Sequence, residues 1–290
     1  MTPDEKAQVQ SPLVETGASQ HPETAGAVTL DAVIFDLDGV VTNTAAVHAA
    51  AWKRLFDEYL GERARVAGAT GYDPFDLSSD YPVYIDGKRR EDGVRSFLTA
   101  RGIALPEGDR DDPPSPRTIR GLGQLKDAYF LTDLRENGVA VYSSTVSLIK
   151  ELKRDGVRIG LVSASRNTRA VLEAARLTDL FEVRIDGLVA DELALPGKPD
   201  PATFVEAANR LDIPRRHAVV VEDALAGVEA GRRGGFGLVV GVDRIGQSIA
   251  LRDRGADVIV QDLAEITSSD LNSFLQEATS SRRTFRRPST

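Results

Sequence analysis

The sequence predicts an α/β fold: a Rossmann-like parallel sheet flanked by helices, with an inserted helical cap domain. Three observations lead there. Short, nearly unbroken apolar runs recur along the chain: AVIFDL (32–37), VRIGLVSA (157–164), HAVVVED (217–223), GLVVGVD (237–243) and ADVIV (256–260). Strands covered on both faces have this composition. Helical patterns separate several of them, such as STVSLIKELKRDG, closed by Gly156, and ALAGVEAGRRGG after the 217–223 run, which is the alternation of a parallel sheet. A long stretch after the first run breaks the rhythm with helix-like segments of its own.

In chain order, residues 1–27 are rich in Pro, Thr, Glu, Gln, Gly and Ala without a sustained period, and read as a disordered tail. Residues 28–45 and 138–270 read as a discontinuous α/β core domain. Residues 46–137 read as the helical cap domain, built on AAVHAAAWKRLFDEYLGERARV, REDGVRSFLTARG (90–102) and KDAYFLTDLRENG (126–138), with Asp and Pro clustered at 109–116. Residues 271–290 read as a flexible C-terminal tail. Its four arginines, Arg282, Arg283, Arg286 and Arg287, suit a solvated terminus.

The chain has 290 residues, 41% hydrophobic and 28% charged, enough for a real core and a well-solvated surface. Lys and Arg number 36 against 44 Asp and Glu, a balance of 36 − 44 = −8. That argues against general nucleic-acid binding, which depends on neutralising phosphates. A local basic pocket for a phosphorylated small molecule stays compatible with it. There is no cysteine, which excludes disulfides, thiolate metal sites and a cysteine nucleophile. No run of about 18 apolar residues marks a transmembrane helix, and the polar start MTPDEKAQVQ is unlike a secretory signal. The expectation is a cytoplasmic protein with no membrane association and no implied protein partner.

The chemistry gathers at the ends of the apolar runs, where open parallel sheets bind ligands. Asp36 and Asp38 end the first run and are followed by Gly39, which permits a sharp turn. Ser163 ends the second run, Glu222 and Asp223 end the third, and Lys198 lies in the turn-like GKPDP. Two acidic clusters, a hydroxyl and a lysine at one sheet edge suit a hard cation such as Mg²⁺, which takes carboxylate and carbonyl oxygens. Asp36, Asp223 and the Asp38 carbonyl are candidate ligands. A carboxylate can attack phosphorus when the cation and Lys198 mask the charge repulsion. Asp38 is placed to move the proton of the leaving or attacking oxygen.

The ordered pattern DxDGVxT, S, K and ED resembles the haloacid dehalogenase superfamily over nearly all of residues 31–265. Its finer features resemble the β-phosphoglucomutase group: DLDGVVTNTAAVHAAAWK (36–53), DGKRREDGV (86–94), SASRN (163–167), GKPDP (197–201) and EDALAGVEAG (222–231). The resemblance implies that Asp36 is the nucleophile and Asp38 the general acid/base. It implies that Asp36, Asp38 through its carbonyl, Asp223 and the nearby Glu222 form the Mg²⁺ site, and that Ser163 and Lys198 hold the transferring phosphoryl. Arg90, Ser165, Arg166 and Asn167 match a second phosphate site. Thr44, His48 and Trp52 match residues near the hinge and cap entrance, and Gly87 matches a cap-loop residue close to the sugar. Three positions depart from the pattern: Asn43 stands where the group usually has Asp, Asp86 where the best-known mutases carry Lys, and Ala224 where Ser is usual. The implied activity is Mg²⁺-dependent isomerisation of β-D-glucose 1-phosphate to D-glucose 6-phosphate through glucose 1,6-bisphosphate. The alternative is a sugar-phosphate phosphatase using the same phosphoaspartate.

Overall fold

The structure is a computed structural model that describes residues 28–109 and 111–284. The expected N-terminal tail, 1–27, and the final residues with Arg286 and Arg287 lie outside the described residues. The strands are β1 (Ala32–Asp36), β2 (Arg158–Val162), β3 (Val183–Ile185), β4 (Ala218–Glu222), β5 (Leu238–Val242) and β6 (Val258–Val260). The helices are α1 (Ala45–Val66), α2 (Arg90–Ala100), α3 (Ile119–Asn137), α4 (Ser143–Arg154), α5 (Thr168–Ala175), α6 (Gly187–Glu192), α7 (Ala202–Arg210), α8 (Leu225–Arg233), α9 (Ser248–Arg254) and α10 (Ser268–Thr284).

The strands form one sheet in the order β3-β2-β1-β4-β5-β6, with every neighbouring pair parallel. Because strand side chains alternate, β1 sends Val33 and Phe35 to one face and Ala32 and Ile34 to the other. The first face packs with Leu148, Ile149 and Leu152 of α4 and with Leu271 and Leu275 of α10. The second packs with Phe204, Ala207 and Ala208 of α7. Fully burying each Val, Leu, Ile or Phe among these stabilises by about 1.5–3 kcal/mol. With both faces covered, the chemistry is left to the carboxyl edge.

The C-terminal expectation needs correction. Residues 271–284 belong to α10, and Leu271 and Leu275 are fully buried. Leu271, Phe274, Leu275 and Ala278 repeat at helical spacing and lie against the sheet. The Asn272 side chain accepts a hydrogen bond from the Leu30 amide, 3.1 Å, and so ties the helix to the lead-in of β1. The surrounding Ser, Thr and Arg residues obscure this short stripe in the sequence. Strand β3, only three residues long, is likewise absent from the pattern of apolar runs.

Helices α1, α2 and α3 enclose a separate apolar cluster. Phe56, Phe75 and Phe97 meet there with ring centroids 4.2–5.1 Å apart, the favourable offset and edge-on range. One turn of π-helix, Tyr81–Ile85, then carries the chain back toward the sheet edge and delivers Asp86 and Gly87 there. Where the chain leaves and re-enters the sheet domain, Asn43 N–H donates to the Ala140 carbonyl (2.8 Å) and Tyr142 O–H to the Asn43 side chain (3.0 Å). The uncharged Asn43 therefore joins the two connecting segments through an accepted hydrogen bond.

Candidate active site

Asp36 is the last residue of β1 and Glu222 the last of β4; Ser163 and Asp223 directly follow β2 and β4. Parallel register brings them to one edge. Lys198 Nζ lies 2.5 Å from both Asp36 Oδ1 and Glu222 Oε1. Glu222 Oε2 accepts the Ala224 amide at 2.8 Å, so both oxygens of Glu222 are engaged and its carboxylate serves first to hold Lys198. Oxygens of Asp36, Glu222 and Asp223 all lie within 4.8 Å of one another. Burial pushes the Asp36 carboxyl well up; Lys198 opposes this while Glu222 and Asp38 add to it. Burial also raises Asp223, reinforced by Asp86, Glu222 and Asp36. Lys198 is held above its usual range despite burial, because Asp36 and Glu222 flank it. Two buried acids, Asp36 and Glu222, and the partly buried Asp223 face one lysine and carry excess negative charge; a hard divalent cation would relieve it, so these residues fit Mg²⁺.

Gly39 makes the cluster possible. Its φ is +89°, and a Cβ there would fall 1.7 Å from Asp223 Oδ2. The turn after the paired acids therefore needs a residue with no side chain, both for its conformation and for its space.

Asp38 faces the other way, toward the cap. Its carboxylate accepts from Thr44 Oγ1 and, at 3.4 Å, from Ser163 Oγ. His48 Nε2 faces Asp38 Oδ1 in a long contact of 3.4 Å. His48 Nδ1 is bound by Lys126 Nζ, and its ring stacks on Phe130 with centroids 4.0 Å apart. A proton on Nε2 matches this arrangement: Lys126 donates to Nδ1, and Nε2–H points at Asp38. Burial raises the Asp38 carboxyl, but His48, Thr44 and Lys126 outweigh it and hold it at about 2. His48 is itself pushed toward its neutral form, by burial first and then by Lys126.

Lys126 is absent from the candidates read in the sequence. It is 4% exposed, its Nζ lies 5.3 Å from the Trp52 ring centroid and 5.0 Å from that of Phe130, and burial lowers its pKa to about 7. The available signal was a lysine in the buried α3 stripe of Leu122, Lys126, Phe130 and Leu134. Trp52 is mainly a cap-core residue, stacked on Phe56 at 5.4 Å, and also lines the cavity.

The cap rests on the core. A Cβ on Gly87 would lie 3.0 Å from that of Ala224, so the cap loop sits directly over the residue after the acid pair. Asp86 is pushed up to about 7 by burial and by Glu222, and the Tyr81 hydroxyl donates to it. Arg89 pairs with Asp191 and donates to the Leu195 carbonyl, 3.2 Å. The cavity beneath is about 90 Å³ and is lined by Asp36, Asp38, His48, Lys126, Asp223 and Arg90, among others.

The residues expected to form a second phosphate site lie at the far side of that cavity, with a difference. Arg90, Ser165 and Arg166 line the cavity, while Asn167 lines the recess beyond. Ser165 points inward along its own loop: its amide donates to Ser163 Oγ and its hydroxyl accepts the Asn167 amide, both at 3.1 Å. Arg90, Arg166 and Asn167 already have acidic partners, Asp127 and Asp191, which sequence reading did not single out.

A family model for haloacid dehalogenase-like hydrolases matches residues 30–235. A β-phosphoglucomutase of Mycobacterium bovis is 45% identical over 238 residues, covering 81% of this chain and 90% of that protein. A trehalose-phosphate phosphatase of Mycobacterium leprae is 40% identical over 127 residues, 42% of this chain and 28% of that protein. The crystal structure of a β-phosphoglucomutase from Clostridium difficile superposes with a TM-score of 0.65 at 24% identity, covering 88% of this chain and 99% of that one. This chain belongs to the haloacid dehalogenase superfamily, in its β-phosphoglucomutase-like group. It is an enzyme of the phosphoryl-transfer and hydrolysis chemistry that this group carries out.

Proposed function

We propose that the protein isomerises β-D-glucose 1-phosphate to D-glucose 6-phosphate through a phosphoaspartate on Asp36 and a glucose 1,6-bisphosphate intermediate. One observation carries the reading beyond general phosphoryl transfer: the cap covers Asp36 and leaves a cavity of only about 90 Å³. A mutase must keep water from its acyl phosphate, and closure does this. Ligand pockets usually measure about 300–1,000 Å³, so a sugar enters and turns over only with the cap displaced.

Asp36 attacks phosphorus, its new O–P bond forming as the bond from phosphorus to the sugar oxygen breaks. Lys198, 2.5 Å from Asp36, offsets the charge of the approaching phosphoryl. Mg²⁺ held by Asp36 and Asp223, with Glu222 alongside, would supply further charge neutralisation at the transferring oxygens. Ser163 offers a hydroxyl to the same group. Asp38, kept ionised, takes the proton of the attacking hydroxyl when the phosphoenzyme donates, and returns it to the leaving oxygen in the reverse step. Lys126, His48 and Thr44 hold Asp38 in position.

A sugar-phosphate phosphatase is the second reading. It is favoured by Asp86, an acid on the cap loop that faces Glu222 and Asp223 and disfavours a second anion nearby. Phosphorus NMR of the protein with Mg²⁺, β-glucose 1-phosphate and a trace of glucose 1,6-bisphosphate separates the two. Glucose 6-phosphate as the main product supports the mutase; inorganic phosphate as the main product assigns the phosphatase.

A further inference from the structure

Arg90 and Asn167 face each other across the boundary between cap and core, and a single oxygen joins them. Asp127 Oδ1, on cap helix α3, forms an ion pair with Arg90 Nη1 at 3.0 Å and accepts a hydrogen bond from Asn167 Nδ2 at 2.6 Å. On the core side Asp191 does the converse, pairing with cap Arg89 and lying 3.7 Å from Arg166. Glu91 lies 3.4 Å from Arg90 Nη2. Arg90 Nε is buried against α3 beside Gly123 and has no acceptor. Arg90, Asp127 and Arg166 line both the inner cavity and an outer recess of about 440 Å³ that also contains Asp111 and Asp112. The cluster thus forms the partition between the two spaces, and its acids outnumber its bases.

We propose that Asp127 is a built-in competitor for the distal phosphate: its carboxylate occupies the donors of Arg90 and Asn167, clasps the cap to the core, and must yield when the phosphate of a sugar substrate binds there. The proposal rests on the sugar-phosphate reading of the site. Two anions cannot share those N–H groups without strong repulsion. Substrate binding therefore exchanges an internal anion for an external one. A neutral or monoanionic ligand gains too little from Arg90 to displace a carboxylate at 2.6–3.0 Å, whereas a phosphate dianion offers three acceptor oxygens and a charge that outweighs the single carboxylate. Asp127 is accordingly a specificity-determining residue that rejects weakly charged ligands and sets the threshold for cap release.

The test is calorimetric titration of the full-length chain with inorganic phosphate in metal-free buffer, where the acids around Asp36 repel the anion from the transfer site. Asp127→Asn and Asp127→Ala are each compared with wild type, and Asp127→Asn is repeated in an Arg90→Gln background. The expected result is that both single variants bind phosphate about tenfold more tightly, and that the gain vanishes without Arg90. A clasp with only a structural role would instead weaken binding when removed. Unchanged, weaker or undetectable binding in both variants overturns the proposal, as does an equal gain in the Arg90→Gln background. No turnover is measured, so a failure of the mutase assignment would appear in the NMR assay and leave this result independent.

Discussion

The core and the cap each contribute one buried lysine to the site, and the two are equally hidden at 4% exposure. Lys198, from the core, lies between two carboxylates, and its pKa is raised. Lys126, from the cap, touches an imidazole and two aromatic rings, and burial lowers its pKa to about 7. The same degree of burial has opposite consequences because desolvation is offset only where an opposite charge is in contact. Lys198 is thus part of what holds the acid cluster together. Lys126 is a cost to the fold, retained for what it does to His48 and Asp38.

That contrast is broken most severely at Lys198. Lys198→Met leaves Asp36 and Glu222 buried without a counter-charge; it should lower turnover by about three orders of magnitude and stability by about 3–5 kcal/mol. Steady-state kinetics and urea unfolding measure both, and a stable, active variant would contradict the pairing. Lys126→Met should separate the two properties. Turnover falls by about 10–100-fold as the Asp38 side loses its support, while stability rises by about 1–2 kcal/mol because an uncompensated ammonium is removed.

The pH dependence of stability sharpens the same point. The unfolded chain carries a protonated Lys126 up to about 10.4, and the folded chain releases that proton near 7. Between these values the unfolded state binds more protons, so this residue makes stability rise with pH. The penalty is fully present below pH 7 and fades toward pH 10. The stabilisation given by Lys126→Met should therefore be large at pH 6 and nearly absent at pH 10, as read from unfolding midpoints at each pH. A gain independent of pH would show that packing, rather than charge, is responsible.

The smallest effect is expected at the cap clasp. Arg89 and Asp191 are 30% and 20% exposed, so Arg89→Ala should cost less than about 1 kcal/mol. It should instead loosen closure and raise the ratio of inorganic phosphate released to sugar phosphate isomerised by a few-fold, measurable by phosphorus NMR.

The same division explains what could be read from the sequence. Asp36, Asp38, Ser163, Glu222 and Asp223 each end an apolar run, so the sheet places them at one edge and their proximity follows from topology. Lys198 could be found because GKPDP stands apart as a turn. Lys126, Asp127, Arg89 and Asp191 have no such marker. Their partners are 78, 40, 102 and 102 residues distant in sequence; packing of α3 on α1 inside the cap joins Lys126 to His48, and the docking of cap on core joins the others. Helix α10 was hidden for a related reason: its apolar stripe is short, and its polar neighbours dominate the composition.

The central claim is that Asp36 becomes covalently phosphorylated. The most direct measurement is rapid acid quenching of the protein mixed with Mg²⁺ and glucose 1,6-bisphosphate, followed by peptide mass spectrometry. A phosphoryl group on Asp36, absent in Asp36→Asn, is the predicted result. A phosphoryl group on another residue such as Ser163, or turnover retained in Asp36→Asn, would contradict the account.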